Sequence, residues 1–213
     1  MCLRAMRHAY AADYVRKERN HMNGKLYIVM GKSATGKDTL YVRIRERHPE
    51  LLPVIPYTTR PIREGEKEGE EYRFVDEPTM REMKEKNEII ESRCYHTMRG
   101  DWYYFTAADE QLAGDEDHIM ITTLEGYEQI RDYFGSEHVI PIYIEVSDVT
   151  RIERALGREK KEETPCIAEV CRRYLADDED FSEERLAQAG IMTRVQNQDL
   201  SQALSEIEKI LNP

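Results

Sequence analysis

The amino-acid sequence predicts an α/β fold in which a parallel sheet is flanked by helices. Three observations predict it. Short apolar runs alternate with segments of helical period along most of the 213 residues. The first run, "KLYIVM" (25–30), opens directly into the glycine-rich stretch "GKSATGKDTL" (31–40). Near the end, Leu200, Ala203, Leu204, Ile207 and Ile210 keep the 3.6-residue period of an amphipathic helix.

Each element follows in order. Residues 25–30 form an apolar run without alternation, as a buried strand does. The helix after it begins near Gly36 and ends before Pro49. "LPVIPYTTR" (52–60) is a strand running into a loop. "PIREGEKEG" (61–69) is polar and turn-rich, and "EYRFVD" (71–76) alternates again as a strand. "EPTMREMKEKNEII" (77–90) reads as one helix with Met80, Met83 and Ile90 inward. "HIMITT" (118–123) and "HVIPIYIEV" (138–146) are further core strands, and "LEGYEQIRDYF" (124–134) is the helix between them. Residues 148–181 are highly charged and mostly helical, and "IMTRV" (191–195) closes the sheet. No internal repeat or low-complexity segment interrupts this pattern.

Composition narrows the function classes. The length suits one compact domain with lobes. A net charge of −11 argues against nucleic acid or an anionic membrane as partner. Charged residues make up 34%, and no apolar run approaches the roughly 18 residues of a membrane helix. Cys2, Cys94, Cys166 and Cys171 form no C-x-x-C pair and no Cys/His metal spacing. They read as reduced thiols, small core residues of a cytoplasmic protein. Residues 1–23 carry Arg4, Arg7, Arg16, Lys17 and Arg19 without an apolar stretch and cleavage site, which disfavours a secretory signal. Met22 sits directly before the first strand, and this N-terminal extension is assigned no function.

Gly31, Gly36 and Lys37 have the spacing G-x-x-x-x-G-K of a phosphate-cradling loop. Alone, the match is weak, because a glycine-rich turn gives it by chance. Its place between an apolar strand and a helix is what the mechanism requires. Backbone N–H groups of Ser33, Ala34, Thr35 and Gly36 and the helix N-terminus then face an anion. Lys37 adds a point charge on the β and γ phosphates. The next residue in this pattern is usually Ser or Thr, for magnesium. Here it is Asp38, with Thr39 one place late.

"YTTRPIREGEKEGEEYRFV" (57–75) resembles the guanylate kinase signature, roughly T-T-R-x-P-R-x-G-E-x-x-G-x-D-Y-x-F-V. Residues 24–211 can be followed against that family. The resemblance implies a P-loop NTPase-type core, an inserted NMP-binding lobe and a helical lid. It implies transfer of the γ-phosphate of Mg²⁺-bound ATP to GMP or dGMP, with small nucleotides as partners and no obligate protein partner. The core would span 24–55, 114–147 and 182–213, the NMP-binding lobe 56–113 and the lid 148–181.

By the same resemblance, Arg60, Arg63 and Tyr72 match the clamp on the GMP phosphate. Glu91 in "NEIIES" matches the carboxylate that accepts from guanine N1–H and the exocyclic amine. Tyr104 and Thr106 in "DWYYFT" match a phosphate-binding Tyr and a guanine-binding hydroxyl. That alignment needs about four extra residues in "CYHTMRGD" (94–101), a longer hairpin tip. "RIERALGRE" matches the Arg-rich turn of the lid through Arg154 and Arg158. Arg172 or Arg173 matches the next lid arginine, and the proposed mechanism uses Arg173. Asn197 in "VQNQDL" falls near the adenine.

The chain departs from the family at several positions. Pro56 stands where a guanine-contacting Ser is common. Ile121 and Thr123 replace two aspartates of the strand end "LDIDxQG". Asp38 replaces the loop Ser, a "GKD" feature shared with ribose 1,5-bisphosphate phosphokinase. Asp38, with Thr39, is expected to support magnesium, or else merely to favour the helix start. Two other readings stay open: a kinase for another phosphorylated acceptor such as ribose 1,5-bisphosphate, and a catalytically dead binding module.

Overall fold

A computed structural model describes residues 22–97 and 100–212. Its central sheet has five parallel strands in the order β2-β7-β1-β8-β9. They are β1 (Leu26–Met30), β2 (Leu52–Pro53), β7 (His118–Ile121), β8 (Val139–Glu145) and β9 (Arg194–Gln196). Parallel pairing buries a strand on both faces, and all five residues of β1 are buried. Leu26, Ile28 and Met30 point into one cluster with Tyr127 and Ile130 of α3 (Leu124–Phe134). Tyr27 and Val29 point the other way, onto Leu40 and Ile44 of α1 (Lys37–Arg47) and Leu204 and Ile207 of α7 (Leu200–Leu211). This period-2 division is why "KLYIVM" has no polar side.

A second, four-stranded sheet has the order β4-β3-β6-β5. It comprises β3 (Tyr57–Thr58), β4 (Arg73–Phe74), β5 (Ile89–Thr97) and β6 (Gly100–Ala107). Phe105, Tyr57 and Ala107 bury one face of it against Met80 of α2 (Glu77–Glu85). Between β8 and β9 run α4 (Asp148–Glu159), α5 (Ile167–Asp180) and α6 (Glu183–Gln188). Among the described residues no helix is long and apolar enough to cross a membrane.

Several expectations need correction. The helix from residue 77 stops at Glu85, because Asn87 takes a left-handed φ of 55° that ends it. Ile89 and Ile90 belong to β5, and Ile90 is buried in the central core. The strand expected over 71–76 shortens to Arg73–Phe74, with Tyr72 in a single bridge to Glu68. The strand expected over 191–195 is Arg194–Gln196, because Gly190 (φ 79°) ends α6 and Ile191 fills the core from a loop. The extension expected over 1–23 overlaps the core, since Met22 is buried and bridges to Gly114. Residues 1–21, with Cys2, lie outside the described residues. Cys94, Cys166 and Cys171 are exposed rather than core residues. Cys94 also stands with His96 and Asp101, their donor atoms within 4.8 Å. The antiparallel register puts Asp101 opposite His96, which no sequence spacing reveals.

Candidate active site

The glycine loop turns from β1 into α1 with two glycines that allow no side chain. A Cβ on Gly31 would lie 2.4 Å from the Ile144 carbonyl oxygen. Gly36 is the left-handed cap of α1 (φ 88°), and a Cβ there would lie 2.5 Å from Asn197 Nδ2. Thr35 Oγ1 donates to the Lys32 carbonyl at 2.9 Å, which folds the loop on itself. Asn197 Nδ2 donates to the Thr35 carbonyl at 2.8 Å. Arg154 bridges the same two residues, with Nη1 3.3 Å from Thr35 O and Nη2 3.0 Å from Asn197 O. Asn197, expected beside an adenine, therefore braces the loop. Arg154 joins α4 to it.

Lys37 opens α1 and makes no side-chain ion pair among the described residues. Asp38 and Thr39 are exposed on the wall of a cleft of about 670 Å³, with Gly36, Arg154, Arg158 and Asn197. That size is within the ordinary range for small-molecule sites. A second cleft lies between the loop and α4–α5, lined by Ser33, Arg158 and Arg173 among others. Arg158 borders both clefts. Arg173 is pinned on α5 by Glu169, its Nε 2.8 Å from Oε1. Bonds from Arg172 and Arg173 hold the Glu169 carboxyl down at about 2.

Two acidic residues of α5 clasp the loop, which the sequence reading missed. Asp177 Oδ2 accepts from the Ser33 N–H at 2.7 Å. Asp178 Oδ1 accepts from Lys32 Nζ at 2.7 Å and from buried Arg151 Nη2 at 2.9 Å. Burial pushes Asp178 up, but Lys32 and Arg151 outweigh it and hold its carboxyl below the ordinary value. A depressed folded-state pKa gives stability that is present above the unfolded value and lost as pH falls through the folded one. The clasp is therefore complete at neutral pH and weakens below about pH 4, the ordinary Asp value. Thermal unfolding followed across that acid range is expected to lose stability less steeply in Asp178→Asn. Superimposable acid limbs would show that the clasp contributes nothing.

The second sheet builds a polar floor. Thr59 and Tyr103 exchange hydrogen bonds, N–H of Thr59 to Tyr103 O at 3.0 Å and N–H of Tyr103 to Thr59 Oγ1 at 2.9 Å. Thr58 Oγ1 donates to Tyr103 O at 2.9 Å and accepts from the Arg60 N–H at 3.1 Å. The two threonines thus aim Arg60, whose side chain is only 3% exposed. Its guanidinium makes a forked pair with Glu66 at 2.9 and 2.8 Å, and Nε donates to Tyr104 Oη at 3.2 Å. Arg60 also holds the Glu66 carboxyl below its ordinary value. The same fork fits phosphate oxygens. Tyr72 lies 5.4 Å from the Arg60 guanidinium, ring centroid to Cζ, and edge-on to Tyr104 at 5.5 Å. Arg63 is exposed on the adjoining turn, with its N–H 2.8 Å from Glu66 Oε2.

Further along the floor Glu91 and Thr106 are both buried. Thr106 Oγ1 donates to Glu91 Oε1 at 2.8 Å, while Oε2 has no hydrogen-bond partner. The structure thus brings Arg60, Tyr72, Tyr104, Thr106 and Glu91 onto one lobe, and Lys37, Asp38, Thr39, Arg154 and Asn197 onto the loop. Arg93, Arg151, Asp177 and Asp178 were missed. The two replaced strand-end aspartates are accounted for in part: Thr123 Oγ1 caps α3 by accepting from the Gly126 N–H at 3.2 Å.

A parallel sheet with a phosphate loop after its first strand, and a polar lobe inserted before its third, defines a P-loop nucleotide-handling fold. The family model described as guanylate kinase matches residues 23–213. The guanylate kinase of Synechococcus sp. (strain CC9902) is 31% identical over 199 residues, 87% of this chain and 94% of that protein. That of Synechococcus sp. (strain JA-3-3Ab) is 30% identical over 193 residues, 89% of this chain and 83% of that protein. The crystal structure of guanylate kinase from Anaplasma phagocytophilum superposes with a TM-score of 0.57 at 19% identity, covering 91% of this chain and 87% of that one. This chain belongs to the guanylate kinase family.

Proposed function

We propose that this protein transfers the γ-phosphoryl group of ATP to GMP or dGMP in the cytoplasm. The observation that carries the reading is the buried Glu91 carboxylate, with Oε1 held by Thr106 and Oε2 left without a hydrogen bond, its nearest charge the Arg93 guanidinium at 3.2 Å. A buried acceptor without a hydrogen bond is costly, and guanine supplies two adjacent N–H donors. Arg60, oriented by Tyr104, and Arg63 and Tyr72 take the acceptor phosphate. Lys37 and the loop amides take the β and γ phosphates of ATP. Arg154, Arg158 and Arg173 lie on the helices that close over the transferring group. Positioning and charge neutralisation supply the rate, and closure keeps water from the phosphoryl group.

Magnesium suits the oxygen donors at the loop. The Asp38 carboxylate and Thr39 hydroxyl are exposed on the ATP cleft, and Asp38 has no side-chain bond among the described residues. Such hard oxygen donors would hold the ion directly or through its waters. When bound, Mg²⁺ neutralises charge on the β and γ phosphates. Asp38→Asn is expected to raise the Mg²⁺ needed for half-maximal activity several-fold, and Asp38→Ser to recover part of the loss. An unchanged Mg²⁺ titration in both variants, with only a small stability change, would make Asp38 a helix-start residue instead.

Coupled assays with ATP and GMP, dGMP, AMP or ribose 1,5-bisphosphate test the acceptor. GMP and dGMP are expected to turn over, and AMP not to. Turnover of ribose 1,5-bisphosphate alone would favour the second reading, which Asp38, Ile121 and Thr123 motivate. A dead binding module would show no turnover, against the retention of Lys37.

A further inference from the structure

Glu91 and Arg93 lie two residues apart on β5, so both side chains stand on the same face of the ribbon. Opposite them on β6 are Thr106 and Tyr104, the other floor residues. The Arg93 guanidinium lies against the Glu91 carboxylate, with Nη2 3.3 Å from Oε1 and Nε 3.2 Å from Oε2. The pair is shielded, Arg93 being 18% and Glu91 0% exposed at the side chain. Yet it is poorly made. Glu91 Oε2 and Arg93 Nε are both buried without a hydrogen bond of acceptable geometry. A buried ion pair is stabilising only when its remaining donors and acceptors are satisfied. Here an acceptor and a donor are left side by side. Arg93 also lines a cleft with Tyr95, Thr123 and Glu125, between β5 and the start of α3.

The order of these groups has a chemical complement. Guanine presents a row of donor, donor and acceptor along one edge: the 2-amine, N1–H and O6. A carboxylate beside a guanidinium presents acceptor, acceptor and donor. Adenine, with an amine at C6 and a bare N1, reverses the last two positions and meets like with like. The hydroxyl that the family commonly places at position 56 is absent here. Pro56 has no side-chain donor, and its carbonyl already accepts from the Arg73 N–H at 2.9 Å. We propose that Arg93 is a specificity residue whose guanidinium donates to guanine O6 while Glu91 accepts from N1–H and the 2-amine. This rests on GMP being the acceptor.

The test compares kcat/KM for GMP, IMP and 6-thioguanosine monophosphate in wild type, Arg93→Met and Arg93→Lys. Sulfur at position 6 is a weak acceptor, and IMP lacks only the 2-amine. Wild type is expected to prefer GMP to the thio analogue. Arg93→Met should lower kcat/KM for GMP about 10- to 100-fold, the span of one good base-edge contact, mainly through KM. The thio analogue should lose less, since it shares the loss of the charge beside Glu91 but has no strong acceptor at position 6 to lose, so the ratio of the two falls toward one. The GMP to IMP ratio, set by Glu91, should stay as it was. Arg93→Lys keeps the charge beside Glu91 and should recover part of the preference. If Arg93→Met does not fold, the Lys variant alone should still lower the ratio several-fold, since one ammonium replaces a fork. Equal losses for GMP and the thio analogue would make Arg93 a structural partner of Glu91 and overturn the proposal. Unchanged ratios would overturn it too. A wild type that turns over GMP with either result keeps the GMP reading, whereas no GMP turnover overturns both.

Discussion

Lys37→Ala is expected to lower phosphoryl transfer by about 10³-fold or more while the fold survives. Lys37 sits at the first turn of α1, half-exposed, and forms no ion pair among the described residues. Its removal leaves no cavity and no buried orphan, and alanine suits a helix. A surface change of that kind shifts stability by about 0.5 kcal/mol or less. The catalytic loss has a separate origin. The loop amides are fixed dipoles, and in the proposed mechanism Lys37 brings a full positive charge to the phosphates, the loop's other lysine, Lys32, being held by Asp178. One preorganised donor facing transition-state charge accounts for about 10²–10³ in rate, and a full charge for more. A coupled assay beside a thermal melt checks the result. Near wild-type turnover in a folded mutant would remove Lys37 from the catalytic set. Lost turnover with a collapsed melt would instead mean that Lys37 holds the loop.

How much of this was legible in the sequence depended on the distance over which each feature is determined. The glycine loop is local: a strand, two glycines forced by close backbone and side-chain approach, and a helix start. "TTR" was recognisable as a motif, and the structure supplies its reason, two threonines that fasten to β6 and aim Arg60. The end of the helix after residue 77 was not legible, because Ile89 and Ile90 continue an apolar pattern that fits a helix or a strand. The left-handed turn at Asn87 decides it. The clasp of Asp177 and Asp178 on the loop joins residues 144 and 146 positions apart, and a run of acidic residues reads as solvated surface. Arg93 was hidden for another reason. It looks like an ordinary surface charge on a strand until the register sets it beside Glu91 and across from Tyr104.

Glu91→Gln is expected to lower kcat/KM for GMP by about 10²-fold or more, with the KM for ATP unchanged within about twofold. The carboxylate is acceptor-only, and its place requires that. Thr106 Oγ1 already donates to Oε1, Arg93 lies along both oxygens, and Oε2 has no hydrogen bond. A glutamine here must point its NH₂ group at Thr106, at Arg93 or at the incoming base. Turned to the Thr106 hydroxyl, which can accept, the NH₂ group leaves a single amide oxygen for Arg93, N1–H and the 2-amine; turned to Arg93 or to the base, it sets donor against donor. The charge that balances Arg93 is lost as well. Buried sites built to hydrogen-bond a substrate lose strongly when one partner is wrong, because the mismatch leaves polar groups unpaired. The proposed ATP site is the phosphate loop, which follows β1 of the other sheet, so the ATP KM is not expected to change. IMP should suffer less than GMP, since it offers Glu91 one donor rather than two. Steady-state kinetics with GMP and IMP at saturating ATP measure both effects. If GMP and IMP turn over as in wild type, Glu91 does not face the base. If the ATP KM rises in step with that for GMP, the substitution has disturbed the fold rather than the reading of guanine.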